Sequence, residues 1–346
     1  MNRKSLFAAV IVFLSLGGRV SAAPNEIQIR NETQGTVIAA APESLLARAD
    51  VQRFIDAQTK KGLARGELET LFANAVNKPG IIAAMDRPST SSPWYRFRAN
   101  HVSGKRIKDG QWFQQEYASV LAAVSRQYGV PETLILAILG IETHYGTVTG
   151  SFRVADALTT LGFNYPRRAE FFQQELAEFL QLVGEEKRSP FDFQGSYAGA
   201  MGMPQFMPSS YRKWAVDWDK DGKRDIWNNV GDTAASIANY MKQHGWQTGK
   251  PMAVRVGMNI TPQLQTLIDD KTELKYTAGQ WRRMGVFVPM QIADADLGVL
   301  YQLEVTPGEY EYWLGLNNFY TVWQYNHSRY YVHAVRDIAN ALGGEL

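Results

Sequence analysis

The run Leu134-Ile135-Leu136-Ala137-Ile138-Leu139-Gly140-Ile141 constrains the fold more than any other stretch of the chain. A helix over it is apolar on every face, and such a helix belongs inside a domain. Pro131 suits its first turn and Gly146 suits its end. Glu142 follows the run directly and so falls in the last turn. Partial burial there disfavours a charged carboxyl. The negative end of the helix dipole disfavours it too. Both effects raise the pKa, and a carboxyl held protonated near neutral pH is what a general acid needs. Taken alone, a Glu after an apolar run usually just marks where a buried helix meets water.

With 346 residues, 45% of them apolar and 20% charged, the chain has the composition of a soluble globular protein of one large domain or two to three smaller ones. Residues 1–22 read as a secretory signal. Arg3 and Lys4 precede the apolar stretch Leu6 to Leu16, which is too short to span a bilayer comfortably, and Val20-Ser21-Ala22 offers a cleavage site. Removing that segment leaves 33 bases against 34 acids, which is not the footprint of a nucleic-acid binder. The chain has no cysteine, so it has neither disulfides nor a Cys-linked lipid anchor. The expectation is a soluble periplasmic protein, not an integral membrane protein once the signal is removed.

The organisation reads as mainly α, of the α+β class. Residues 23–110 hold a polar arm and a helical domain, with Leu45, Val51, Phe54, Ile55, Leu68 and Phe72 in helical spacing. Pro79 to Pro93 reads as a linker. Residues 111–247 form the core region: a helix over Phe113–Tyr128, the apolar helix, a long amphipathic helix from Ala169 to Val183, and a helix over Asp232–His244. Between them lies Gly195 to Pro208, rich in Gly and Pro yet carrying Met and Phe, a pattern of buried loops that line something. Residues 248–308 alternate like strands, at Met252–Val256, Thr272–Tyr276 and Gly298–Val305, and read as a small inserted β-rich subdomain. Residues 309–346 return to helical spacing.

Asp217-Trp218-Asp219-Lys220-Asp221-Gly222 matches an EF-hand calcium loop over 217–228. Asp217, Asp219 and Asp221 sit at positions one, three and five, Gly222 gives the turn, and Lys223 offers its carbonyl at position seven. Asn228 stands at position twelve, where a bidentate Glu is usual, so lower affinity is expected.

Composition removes much other chemistry. A Cys nucleophile is excluded, and the five His form no zinc-protease pattern. No phosphate-binding loop, dinucleotide fingerprint or Ser hydrolase elbow is present, so nothing calls for an organic cofactor. Carboxylate chemistry on an exported substrate remains, with glycoside cleavage its leading case. Ordinary glycosidases need two carboxylates, and Asp156 and Asp192 are the weak candidates for a second.

Several motifs in order, Ile141-Glu142-Thr143-His144-Tyr145-Gly146, Phe163-Asn164-Tyr165-Pro166-Arg167-Arg168-Ala169-Glu170, Ala198-Gly199-Ala200-Met201-Gly202 with Gln205-Phe206-Met207-Pro208-Ser209-Ser210-Tyr211, and Asn317-Asn318-Phe319-Tyr320 with Tyr325-Asn326-His327-Ser328, resemble the lytic murein transglycosylase B family over most of the chain. The resemblance implies a lysozyme-like catalytic core, a helical domain, a small β domain and a structural calcium loop. It also implies a reaction that needs one carboxylate. Glu142 protonates the oxygen of the β-1,4 bond from N-acetylmuramic acid to N-acetylglucosamine, then acts as base on the muramyl C6 hydroxyl, closing a 1,6-anhydro ring.

By the same resemblance, Arg167 and Arg168 face acidic parts of the substrate, and Ser196, Gln205, Tyr240, Tyr325, Asn326 and Tyr331 line the groove or position the Glu. Phe97 falls to an aromatic subsite. Peptidoglycan glycan strands are the expected partner, with proteins of the cell-wall machinery as candidates. Two alternatives stay open: a hydrolysing muramidase with a second carboxylate, and a non-catalytic peptidoglycan-binding protein.

Overall fold

The computed structural model describes residues 45–86, 92–270 and 272–346. Residues 1–44, which hold the expected signal and polar arm, and part of the stretch from Pro79 to Pro93 lie outside the described residues.

The apolar run forms the helix Glu132–Thr143, buried from Thr133 through Gly140. Around it one continuous hydrophobic cluster extends from Val51 to Leu346. The first helices, Ala49–Lys60 and Arg65–Asn74, join that cluster and have no core of their own. Phe54, Phe72 and Phe163 meet edge to face, with centroids 5.3 to 5.9 Å apart, and fasten these helices to the helix Val154–Asn164. Such pairs add to the burial of the rings themselves.

Two expected segments differ. Pro79–Met85 is helical where a linker was expected, because Pro at the first helical position loses no needed N–H. The segment Phe113–Tyr128 is not one helix. Gly104–Glu116, started by the Ser103 side chain accepting from the Arg106 N–H, ends at Tyr117, and Ala118–Tyr128 begins there. The long helix runs Ala169–Glu186 and closes on Lys187, which has φ 50°.

The strands are β1 (Phe152–Arg153), β2 (Gln194–Gly195), β3 (Ala253–Met258), β4 (Tyr276–Thr277), β5 (Val286–Phe287), β6 (Leu297–Thr306) and β7 (Glu309–Gly315). β1 and β2 pair with each other, and the rest form an antiparallel sheet in the order β4-β6-β7-β3-β5. Both faces of this sheet are covered. Leu300 and Leu314 join a second small core with Val256, Leu264, Ile268 and Trp281. Val299, Tyr301, Leu303 and Trp313 join the main one. The β part therefore runs to Gly315, past the expected boundary at 308, and it contains two helices of its own, Pro262–Asp269 and Ala278–Arg283. The strand expected over Thr272–Tyr276 is confined to Tyr276–Thr277.

Helical structure resumes at Asn317–Tyr325 and Arg329–Ala341. Asn318 fixes the return. Its Oδ1 accepts from the Gln247 N–H at 2.7 Å, and its Nδ2 donates to the carbonyls of Gln247 (2.8 Å) and Lys250 (2.7 Å). The side chain is fully buried, so these bonds satisfy polar groups that would otherwise be orphaned. No described helix is long and apolar enough to cross a membrane.

Candidate active site

The helix that carries Glu142 ends abruptly. His144 (φ 53°), Tyr145 (φ 57°) and Gly146 (φ 84°) are all left-handed, so termination begins at His144, two residues before the expected glycine. The Tyr145 N–H closes the end by donating to the Leu139 carbonyl at 3.1 Å. Its ring then folds back over Gly140, and its hydroxyl donates to the Arg106 carbonyl at 3.0 Å. A Cβ at Gly140 would lie 2.7 Å from that hydroxyl, which explains a glycine inside a buried helix. Thr143 donates to the Met203 carbonyl at 2.9 Å and accepts from the Gly146 N–H at 3.0 Å, tying the helix end to the glycine-rich loop.

That loop is a tight, buried hairpin in which Met201 bridges to both Gly195 and Phe206. At Gly199 (φ 83°) a Cβ would meet Leu158 at 2.6 Å, so the backbone lies directly against the helix behind it. Ser196 stands inside the turn, where its Oγ accepts from the N–H groups of Ala198 (3.3 Å) and Ala200 (3.1 Å). Gln205 has φ 52°, and its Nε2 donates to the carbonyls of Thr149 (3.1 Å) and Gly202 (2.9 Å). Gln205 Oε1 and Asn326 Oδ1 are buried with no hydrogen-bond partner among the described residues.

A third segment completes the site. The Ser328 side chain caps the helix Arg329–Ala341 by accepting from the Tyr331 N–H at 3.3 Å, which fixes Tyr331 in the first turn. The Tyr331 hydroxyl donates to Glu142 Oε1 at 2.6 Å across 189 residues of sequence. Tyr325 donates to the Pro204 carbonyl, and Tyr240 to that of Gln324 at 2.8 Å. The rings of Phe206, Tyr240 and Tyr325 pack together, with centroids 4.9 to 5.9 Å apart.

The electrostatics follow from this enclosure. Burial pushes the Glu142 pKa up to about 7, and the Tyr331 hydrogen bond, which favours the carboxylate, pulls against it. Burial raises the phenols of Tyr325 and Tyr331 well above their usual range, and the nearby Glu142 charge adds to the effect, so both remain hydrogen-bond donors.

Other expected residues stand elsewhere. Arg167 is 79% exposed, with Asp86 at 3.3 Å. Arg168 lies over Phe171 at 4.4 Å, its guanidinium partly desolvated. Phe97 corrects an expectation: only 3% exposed, it stacks with His101 at 4.0 Å and with Trp94 at 6.0 Å, leaving no open face for a sugar. Asp156 pairs with Arg153 at 2.9 Å and accepts from the Val76 N–H, and Asp192 accepts from the Ser189 N–H. Of the two candidate second carboxylates, Asp156 is thus held by an arginine, and Asp192 makes a backbone contact alone among the described residues.

In the acidic loop, Asp217, Asp219 and Asp221 bring carboxylate oxygens within 4.8 Å of one another. The Asn228 amide instead donates to Asp225, at 3.1 and 3.3 Å. Sequence reasoning missed Asp232. It is fully buried in the first turn of Val230–Gln243 and accepts from the N–H groups of Trp218 (2.8 Å) and Asp225 (2.7 Å). Its pKa is raised by burial and by the charges of Asp219 and Asp217. An Asp at a helix start reads as an ordinary dipole partner, so the sequence carries no sign of this second role.

A family model described as the transglycosylase SLT domain matches residues 47–340. The chain belongs to this family. It is 38% identical over 304 residues to membrane-bound lytic murein transglycosylase B of Escherichia coli (strain K12), covering 85% of this chain and 82% of that protein. The soluble lytic transglycosylase SltB1 of Pseudomonas aeruginosa superposes with a TM-score of 0.79 at 39% identity, covering 85% of this chain and 98% of that one. The Escherichia coli transglycosylase Slt35, solved in complex with calcium, superposes with a TM-score of 0.76 at 36% identity, covering 86% of this chain and 93% of that one. These matches agree with the expected family and with a mainly helical, lysozyme-like fold that carries a small sheet.

Proposed function

We propose that the protein is a peptidoglycan lytic transglycosylase in which Glu142 serves as both general acid and general base. The observation that carries this reading is the enclosed Glu142 carboxyl, with a pKa near 7 and the Tyr331 hydroxyl as its donor. Neutral Glu142 gives its proton to the oxygen of the β-1,4 bond between N-acetylmuramic acid and N-acetylglucosamine, and that bond breaks. The resulting carboxylate, stabilised by Tyr331, takes the proton of the muramyl C6 hydroxyl. The C6 oxygen bonds to C1 and closes a 1,6-anhydro ring. The proton is back on Glu142, so neither water nor a second carboxylate is consumed. A pKa near the working pH keeps both forms of the group within reach.

The commitment of Asp156 to Arg153 speaks against a hydrolysing muramidase. A binding protein has no use for a desolvated acid. The buried acceptors of Gln205 and Asn326 suit the hydroxyl and N-acetyl N–H donors of a sugar. Tyr240 and Tyr325 pack under Phe206, and Ser196 would act through the loop it holds. Arg167, reaching solvent, would meet acidic parts of the substrate. The signal-like N-terminus and the lack of cysteine support a soluble periplasmic location.

The acidic loop fits a structural calcium ion. Three converging carboxylates, with the buried Asp232 charge behind them, repel one another, and a divalent cation removes that repulsion. Asp217, Asp219 and Asp221 would hold it, with the Lys223 carbonyl. The ion would fix the loop between the helices Pro208–Trp214 and Val230–Gln243 and take no part in the reaction.

Mass spectrometry of products from purified peptidoglycan tests the reaction. Wild type is expected to release 1,6-anhydromuramyl ends and Glu142→Gln none, whereas products one water heavier would replace this reading with hydrolysis. The pH profile tests the acid. Because the neutral form starts the reaction, kcat/KM should fall about tenfold per pH unit above about 7. Tyr331→Phe removes a bond to the carboxylate, so the pKa should rise and the falling limb move to higher pH, while an unmoved limb contradicts the assigned partner. Calcium at about a hundred times its Kd should raise the Tm by roughly 5 °C over a chelated sample, and an unchanged Tm removes the ion from the reading.

A further inference from the structure

A cavity of about 670 Å³ lies beside the acidic loop, away from the Glu142–Tyr331 pair. Gly146, from the segment that terminates the catalytic helix, forms one border, so the cavity adjoins the groove. Arg188 and Asp192 line it from the turn after the long helix, and Lys223, Asp225 and Trp227 from the far arm of the loop.

The charges of this wall fall into two groups. Arg224 and Glu186 are joined at 2.6 Å, and Glu186 also accepts from the Tyr211 hydroxyl at 2.9 Å, so they neutralise each other. The remaining four have no such partners among the described residues. Arg188 lies over the Phe193 ring at 4.3 Å and donates to the Asp192 carbonyl at 3.3 Å, leaving guanidinium N–H groups to spare. Lys223 is exposed and forms no ion pair with the described residues. Asp192 accepts from the Ser189 backbone, and Asp225 from backbone and amide N–H groups of Trp227 and Asn228. Two cations and two carboxylates thus face one space without a counter-ion of their own. Trp227 is anchored in that wall by its indole N–H, which donates to the Gln194 carbonyl at 3.1 Å.

A simple anion entering here meets Asp192 and Asp225, and a simple cation meets Arg188 and Lys223. A ligand that carries both signs close together satisfies both pairs. We infer that this cavity binds an α-amino-acid head, an ammonium and a carboxylate on one carbon, as the unlinked diamino acid of a peptidoglycan stem peptide presents. This rests on the transglycosylase reading for its choice of substrate. Arg188 and Lys223 receive the carboxylate, Asp192 and Asp225 the ammonium, and Trp227 packs on the side-chain methylenes. The cavity would then select strands by their peptides, in a place separate from the sugar chemistry.

Binding tests this without turnover. Glu142→Gln protein is titrated calorimetrically with a soluble disaccharide-peptide bearing a free diaminopimelate head, and with the same compound acetylated on that amine. The free head should bind about tenfold more tightly. Adding Asp192→Asn should reduce that preference severalfold, and adding Arg188→Gln should weaken both ligands. Equal affinities for the two compounds, or a preference left intact by Asp192→Asn, overturn the assignment. The two readings fail separately: absent anhydro products refute the reaction, and equal affinities refute the cavity.

Discussion

The structure depends on holding one half-buried carboxyl where neighbouring groups shield it from water. Glu142 lies in the last turn of a helix buried along most of its length, and burial raises its pKa. The Tyr331 hydroxyl at 2.6 Å supplies the opposition. The balance leaves a group near pH 7 that can give a proton and take one back. That requirement explains features remote from chemistry, including the glycine at 140 that lets Tyr145 fold over the helix end. It explains the three consecutive left-handed residues that stop the helix one residue after the acid.

Three segments far apart in sequence meet at this point, and each is fixed by a different device. The glycine-rich loop is held by backbone approach so close that side chains at Gly199 and Gly202 would strike Leu158 and Ile226. The helix carrying Tyr331 packs against the sheet through His333, which meets the Tyr301 hydroxyl at 3.0 Å and the Trp313 ring at 4.6 Å. The sheet in turn is buried on both faces and latched to the core by Asn318. The β-rich part therefore backs the helix that carries Tyr331, the hydrogen-bond donor to Glu142.

Much of this was legible in the chain itself. The apolar helix and its terminal acid show because a helix greasy on every face leaves few alternatives. The order of motifs named the family. Less visible were elements whose pattern is set by tertiary contact. β7 was hidden because Tyr312, Trp313 and Leu314 face cores on both sides of the sheet, and such a strand loses its alternation. The helix Ala278–Arg283 does carry a sequence signal, the Thr277 and Gln280 capping box. Phe97 could not be told from a sugar platform, since an aromatic residue serves a core and a subsite equally well in sequence. Asp232 joined the acidic loop only once the helix start had been folded against it.

The central claim is the protonation state of Glu142 in the folded protein, and the most direct measurement is its own titration. Protein labelled with carbon-13 at the glutamate carboxyls, with Glu142→Gln to assign the resonance, reports that site by nuclear magnetic resonance. A Glu142 carboxyl that titrates near pH 7 is the predicted result. One that titrates near the ordinary value of about 4.3 would show that the helix end is wet and contradict the claim.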